Sequence, residues 1–164
     1  MIIGVAVGVP IMPRDPERLL ARFARWWFCR RIVKALALNK RPKEVRADGL
    51  SLSQSRNRLE IEWRARDVHP WDRDRGLPQS DVTELFAKQC LDDTGAAIER
   101  LFSELPEVEF IDFTVIDPKS SAPILHGSVD RSEANTANDM SPGMKLKKFG
   151  ATYRLTDWRF EPLN

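Results

Sequence analysis

Three carboxylates and one imidazole lie within eight residues of a predicted loop. They are Asp67, His69, Asp72 and Asp74, in the run Asp-Val-His-Pro-Trp-Asp-Arg-Asp. Carboxylate oxygens with one histidine nitrogen are ligands suited to Mg²⁺ or Mn²⁺, and loops that follow strands often carry such sites. Arginines interleave with these acids, and alternating ion pairs in a solvated loop have the same composition. The four residues are a candidate metal site with a structural alternative.

A second set of candidate residues belongs to a strongly basic segment near the amino terminus. Residues 14 to 46 contain eleven Lys or Arg against three acids, a net charge of +8, whereas residues 47 to 164 carry a net charge of −6. Such asymmetry indicates an anionic partner for the basic part. The candidate binding residues of this basic arm are Arg18, Arg22, Arg25, Trp26, Trp27, Arg30, Arg31 and Lys34.

Three uses of the basic arm are compatible with its composition. An amphipathic helix most often packs its apolar side on a core. Tryptophan and phenylalanine flanked by arginine are also typical of a helix that lies in the interface of an anionic membrane. For nucleic acid, arginines would neutralise phosphates and indoles would stack on unpaired bases, but no recognised nucleic-acid-binding signature is present. Membrane docking therefore ranks ahead of nucleic-acid binding.

The elements that would position these residues begin with a helix near Asp15, because Asp15 can cap it and Pro16 suits its first turn. At 100° per residue, the early aromatic side chains share one side of this helix. Beyond Cys29 the phase changes, and apolar residues occupy the sector of the early arginines. The helix either breaks near Cys29, or its two halves contact different surroundings.

Motifs of common enzyme classes are absent from the sequence. It contains no GxGxxG, Walker loop, GxSxG, HExxH or CxxC pattern, and its only histidines are His69 and His126. Two cysteines, Cys29 and Cys90, are too few for a disulfide framework and favour a reducing, cytoplasmic setting. We expect no cofactor. The apolar opening, residues 1 to 12, is interrupted by Pro10 and is too short to span a bilayer, so it is interpreted as a strand or tail.

Hydrophobic periodicity predicts the remaining elements. They are a hairpin of Leu50–Ser53 with Leu59–Arg66, a helix from Ser80 to about Leu105, a central strand over Val108–Ile116 that is apolar on both faces, a strand over Ile124–Val129, a polar loop over Arg131–Gly143, and a last long strand with a bulge near Thr156.

These elements predict an α+β fold. A mainly antiparallel, twisted sheet of about five strands is covered by one long helix, with the basic amphipathic helix at its edge. Residues 1–46 form the apolar tail and basic helical arm, and residues 47–164 form the α+β domain. The order of elements also resembles that of NTF2-like proteins, and this resemblance implies a cone-shaped sheet that encloses a pocket.

The leading functional hypothesis is a non-enzymatic interaction module. Its basic arm would dock it on an anionic membrane surface or a partner protein. The expected location is the cytoplasm, and docking on a membrane would make the protein peripheral to that membrane. Nucleic-acid binding is one alternative. The other is a small enzyme or ligand-binding domain that uses a cavity or the Asp67–Asp74 loop, and a pocket lined by His69, His126 and Trp63 would favour it.

Overall fold

The computed structural model describes residues 16–37, 49–136 and 140–163, and it leaves out the side chains of residues 16–19 and 74. The helices are α1 (Pro16–Leu36), α2 (Pro70–Asp74), α3 (Gln79–Glu104), α4 (Arg131–Asn135) and α5 (Pro142–Lys148). The strands are β1 (Ser51–Ser55), β2 (Arg58–Arg64), β3 (Phe110–Ile116), β4 (Pro123–Asp130), β5 (Leu155–Thr156) and β6 (Arg159–Phe160).

The chain divides into two compact units between Arg30 and Arg31. The predicted domain boundary after residue 46 lies outside the described residues, as do the tail at 1–12 and the end of the first helix at 39–43. α1 is one helix with two environments. Large apolar side chains of its first part are exposed, whereas Ile32, Val33, Ala35 and Leu36 are buried. The change of phase near Cys29 therefore marks different surroundings and not a break.

The second unit is built on a four-stranded sheet in the order β1-β2-β3-β4. β1 pairs antiparallel with β2, β2 parallel with β3, and β3 antiparallel with β4. Because parallel neighbours need a long crossover, the chain between β2 and β3 contains α3. The predicted α+β class with a long helix is confirmed. The sheet has four strands and does not close into a barrel.

One face of this sheet is buried and the other is open. Along β3 the buried residues Ile111, Phe113 and Val115 alternate with more exposed ones, and β2 shows the same period of two. Buried residues of α3, among them Ile98 and Leu101, supply the opposing side of the core. Phe113 is only 2% exposed, as the sequence predicts. One helical layer covers only the face that bears Phe113, as predicted, and Phe110 on the other face is exposed.

The carboxyl-terminal region differs from its prediction in two places. Residues 131–135 are helical because Asp130 and Glu133 form a capping box, which the polar composition of the predicted loop conceals. The shift of parity near Thr156 is a tight turn and not a bulge. Asp157 and Trp158 both have positive φ, the pattern of a two-residue hairpin turn, and they join β5 to β6. This small hairpin replaces the predicted last long strand.

The start of α3 also differs by a small amount. The helix begins at Gln79 with Pro78 as its N-cap, and no side chain caps it. Ser80, the predicted cap, lies inside the first turn and donates a hydrogen bond to the Asp81 carboxylate at 3.0 Å. No described helix has the length and the hydropathy needed to cross a membrane.

Candidate functional site

Four large apolar side chains are exposed on the first part of α1. Leu20 and Phe23 are each 69% exposed, Trp26 is 48% exposed, and Trp27 is 56% exposed. A single exposed apolar residue is ordinary, but such a cluster within eight residues of one helix is characteristic of an interaction surface. The alternative in which these side chains pack on a core does not hold for these four. Leu19 and Arg18 have side chains outside the described set.

Arginines accompany these apolar side chains. The Trp26 and Trp27 rings lie 6.2 Å apart, and the Arg30 guanidinium lies 5.4 and 5.9 Å from their centroids, within the range of cation–π attraction. Arg22 and Arg25 are exposed. No acid whose side chain the structure describes forms an ion pair with any of these three arginines. We call Leu20, Phe23, Trp26, Trp27, Arg22, Arg25 and Arg30 the exposed arm.

Two other predicted binding residues, Arg31 and Lys34, form hydrogen bonds and ion pairs within the second unit. Arg31 donates to the main-chain carbonyl of Glu104 at 2.6 Å and to the Glu107 carboxylate at 2.8 Å. Lys34 lies 2.7 Å from the Glu104 carboxylate. These contacts satisfy a terminal carbonyl of α3 and place cations at the negative end of its dipole. Partial burial acts to raise the pKa of Glu107, but hydrogen bonding and the charge of Arg31 outweigh it and lower that pKa.

The predicted metal-binding loop forms local ion pairs and a helix cap. Asp67 accepts hydrogen bonds from the Arg73 guanidinium at 2.5 Å and from the Val68 amide at 2.8 Å. Burial acts to raise the pKa of Asp67, yet these hydrogen bonds lower it overall. His69 Nδ1 accepts a hydrogen bond from the main-chain amide of Trp71 at 3.2 Å and so caps α2. The Asp72 carboxylate lies 3.9 Å from Arg75.

Within the side chains that the structure describes, which exclude Asp74, no three His, Cys, Asp or Glu residues are placed to hold a metal ion. The described contacts are those of the structural alternative, in which the loop's acids pair with its own arginines. The metal-site prediction for Asp67, His69, Asp72 and Asp74 receives no support from them.

The three residues named for an enzyme pocket do not line a common cavity. Trp63 lies on the buried face of the sheet, with its ring 6.3 Å from that of Phe113. His126 is exposed on the open face of β4, and its main chain pairs with Thr152. His69 caps α2. The side chains that the enzyme hypothesis would bring together therefore lie in three separate places.

A shallow groove of about 1040 Å³ covers the open face of the sheet. Its polar lining includes Ser51, Ser53, Glu60, Glu62, Asp112, Thr114, His126 and Ser128. Strand register arranges these side chains in rows, because cross-strand partners share one face. One row is Ser53, Glu60, Asp112 and Ser128, and the next is Ser51, Glu62, Thr114 and His126.

Asp112 is one of several groove residues that the sequence did not single out as candidates. It alternates with Ile111 and Phe113, so the period of two was the available signal. The Arg58 guanidinium donates to Asp112 at 2.7 Å. Burial acts to raise the pKa of Asp112, but hydrogen bonds with Arg58 and Ser128 outweigh it and lower that pKa.

A smaller cavity of about 190 Å³ lies at the carboxyl ends of β2 and β3, beside the first turns of α3. Phe86 and Phe160 form part of its apolar wall, and Asp67, Asp117, Lys119 and Arg159 supply charges of both signs. Lys119 lies 3.9 Å from Asp67. The balanced charge of this lining does not select one class of ligand.

Comparison with protein-family models, curated proteins and solved structures finds no match to this chain.

Proposed function

We propose that this protein is a peripheral membrane-docking module whose exposed arm binds an anionic bilayer. One observation carries the proposal: large apolar side chains, and arginines with no ion pair to any described side chain, are exposed together on the same three turns of α1. The described residues neither bury these apolar side chains nor supply an acid that pairs with these arginines. A surface with both properties complements a membrane, which offers an apolar interior beneath anionic headgroups.

Each part of the exposed arm has a role in this docking. Indole rings sit favourably at headgroup depth because they combine a large apolar area with one polar N–H group. Arg22, Arg25 and Arg30 would meet lipid phosphates, and each cation near an acidic leaflet contributes about 1 kcal/mol. Together the three arginines would supply about 3 kcal/mol, or roughly 150-fold in affinity.

The apolar members favour a bilayer over nucleic acid. Bases stack on aromatic and guanidinium groups, so Trp26, Trp27 and Arg30 would suit single strands. Leu20 and Phe23 are the most exposed apolar residues of the arm. The aliphatic Leu20 offers no stacking surface to a base, whereas lipid chains accept leucine and phenylalanine alike without shape complementarity.

Vesicle co-sedimentation tests the proposal. We expect binding to vesicles of phosphatidylcholine with 30% phosphatidylserine, weak binding to pure phosphatidylcholine, and a loss of binding as salt rises, because screening shortens the range of these charges. The Trp26→Ala/Trp27→Ala variant should lose most of its binding. The Arg22→Gln/Arg25→Gln/Arg30→Gln variant should bind about 150-fold more weakly.

The control variant is Arg100→Gln/Arg154→Gln, which removes two exposed arginines from outside the arm and should bind like the unaltered protein. Equal binding to neutral and acidic vesicles, or binding to neither, would refute membrane docking. A mobility shift with single-stranded oligonucleotides that is lost in the arginine variant, without vesicle binding, would assign the arm to nucleic acid.

A further inference from the structure

We propose that the outer edge of β1 binds an extended basic peptide of a partner protein as an added strand, and that Glu60 and Glu62 recognise its cationic side chains. This site lies on the four-stranded sheet and is distinct from the exposed arm. The partner is defined by its chemistry: an extended segment in which Lys or Arg alternates with residues of high β-propensity. The proposal stands independently of membrane docking.

The β1 edge has the properties of a strand-pairing site. β1 is a terminal strand of the sheet, and no described residue pairs with its outer side. Its sequence, Ser-Leu-Ser-Gln-Ser, contains no charge and no proline. Edge strands usually carry such residues, because unpaired N–H and C=O groups otherwise attract another strand. At the opposite edge, β4 already bonds to Thr152.

The face next to this edge leaves room for the long side chains of an added strand. Ser51 and Ser53 are cross-strand partners of Glu62 and Glu60, and all four residues line the open-face groove. Strands are spaced about 4.8 Å apart, so an added strand would lie about 10 Å from β2. Serine is short. The long side chain of a Lys or Arg on the added strand can therefore pass above the serines and reach a glutamate.

The same face carries carboxylates. Asp112, the remaining carboxylate of the groove, is neutralised by its ion pair with Arg58. Glu60 and Glu62 form no ion pair with any residue in the described parts of the chain. These two carboxylates lie one strand in from the β1 edge and form no ion pair of their own, and the Arg58 charge offsets only part of the charge of Glu60. A second copy of this chain would pair its own neutral β1 and bring no cation, so a basic peptide fits this surface better.

The probe for this site is a synthetic peptide of seven alternating Lys and Val residues, acetylated, amidated and labelled with fluorescein. We expect saturable binding by fluorescence anisotropy, weakened by salt. Amide hydrogen exchange should slow at residues 51–55 when the peptide is bound. The Glu60→Gln/Glu62→Gln variant should bind roughly tenfold more weakly, since two partly exposed charge pairs are lost. Asp92→Asn, which removes an exposed acid of α3, should bind like the unaltered protein.

Two control peptides separate strand addition from simple charge attraction. A peptide N-methylated on alternate residues keeps every charge but cannot complete the main-chain ladder, so it should bind at least tenfold more weakly. A peptide with Glu in place of Lys should not bind. Equal binding of the N-methylated peptide, unchanged binding of the double Gln variant, or slowed exchange only outside β1 would each overturn the proposal.

Discussion

Arg131 joins the end of α3 to the start of β3, and its replacement by alanine should cost much of the stability of the second unit. Its guanidinium donates to the main-chain carbonyls of Phe102 at 2.9 Å, Leu105 at 2.7 Å and Val108 at 3.1 Å. The Phe102 carbonyl has special need of this donor. Residue 106 is proline, which has no amide to complete the helical hydrogen bond. Arg131 replaces that missing amide.

The size of the effect follows from these bonds. A hydrogen bond from a charged donor contributes about 1.5 to 3 kcal/mol, but water can reach part of this half-buried site and solvate the carbonyls in place of the guanidinium. We therefore expect Arg131→Ala to lower the free energy of unfolding by about 3 kcal/mol, from a typical total of about 5 to 15. Arg131→Lys should lose about half as much, because an ammonium keeps the charge without the planar fork.

Urea denaturation followed by far-ultraviolet circular dichroism measures this loss, because the signal reports the whole unit and not the exposed tryptophans. Arg100→Ala is the control, since Arg100 is exposed on α3 and its loss should change stability by no more than about 0.5 kcal/mol. If Arg131→Ala and Arg100→Ala have equal effects, or if Arg131→Lys is as stable as the unaltered protein, the capping argument is wrong.

Three further outcomes follow from single positions. Gly127→Ala should destabilise by about 1 to 3 kcal/mol in denaturant titration, because a Cβ there would lie 2.8 Å from the Phe113 ring; unchanged stability would contradict that packing. Burial raises the pKa of the Cys90 thiol to about 12. Iodoacetamide at pH 8 should therefore modify Cys90 only after unfolding, whereas the half-buried Cys29 should react in the native protein, and mass spectrometry distinguishes the two. The lowered pKa of Asp112 adds stability that is complete above its ordinary value of 3.8 and is lost as pH falls through the folded value. Asp112→Asn should thus make the free energy of unfolding less dependent on pH below about 4. If that pH dependence is the same in the variant, Asp112 does not contribute in this way.

Local periodicity was sufficient to predict the elements that alternate cleanly. The β1–β2 hairpin and the burial of Phe113 follow from apolar residues at a period of two. The parallel pairing of β2 with β3 was not predictable in this way. Their partner residues lie about fifty positions apart, and nothing in either strand alone specifies the direction of its neighbour.

The residues of the candidate site could likewise be predicted only in part. Composition and helical phase single out Trp26, Trp27 and Arg30 as candidates. They could not separate these residues from Arg31 and Lys34, whose partners lie seventy or more positions away at the end of α3. The open-face groove was missed because its members come from four strands and become neighbours only through register.

The continuity of α1 has a consequence for how fast the exposed arm could act. Helix formation is limited by nucleation, and isolated short helices are marginal in water. In α1 the turn that contains Ile32 and Leu36 is buried, so it serves as a permanent nucleus from which the exposed turns propagate. The arm is therefore already helical before it meets any surface. If the arm docks on a membrane as proposed, docking requires no coil-to-helix transition, and the entropy of ordering this segment is not subtracted from its affinity.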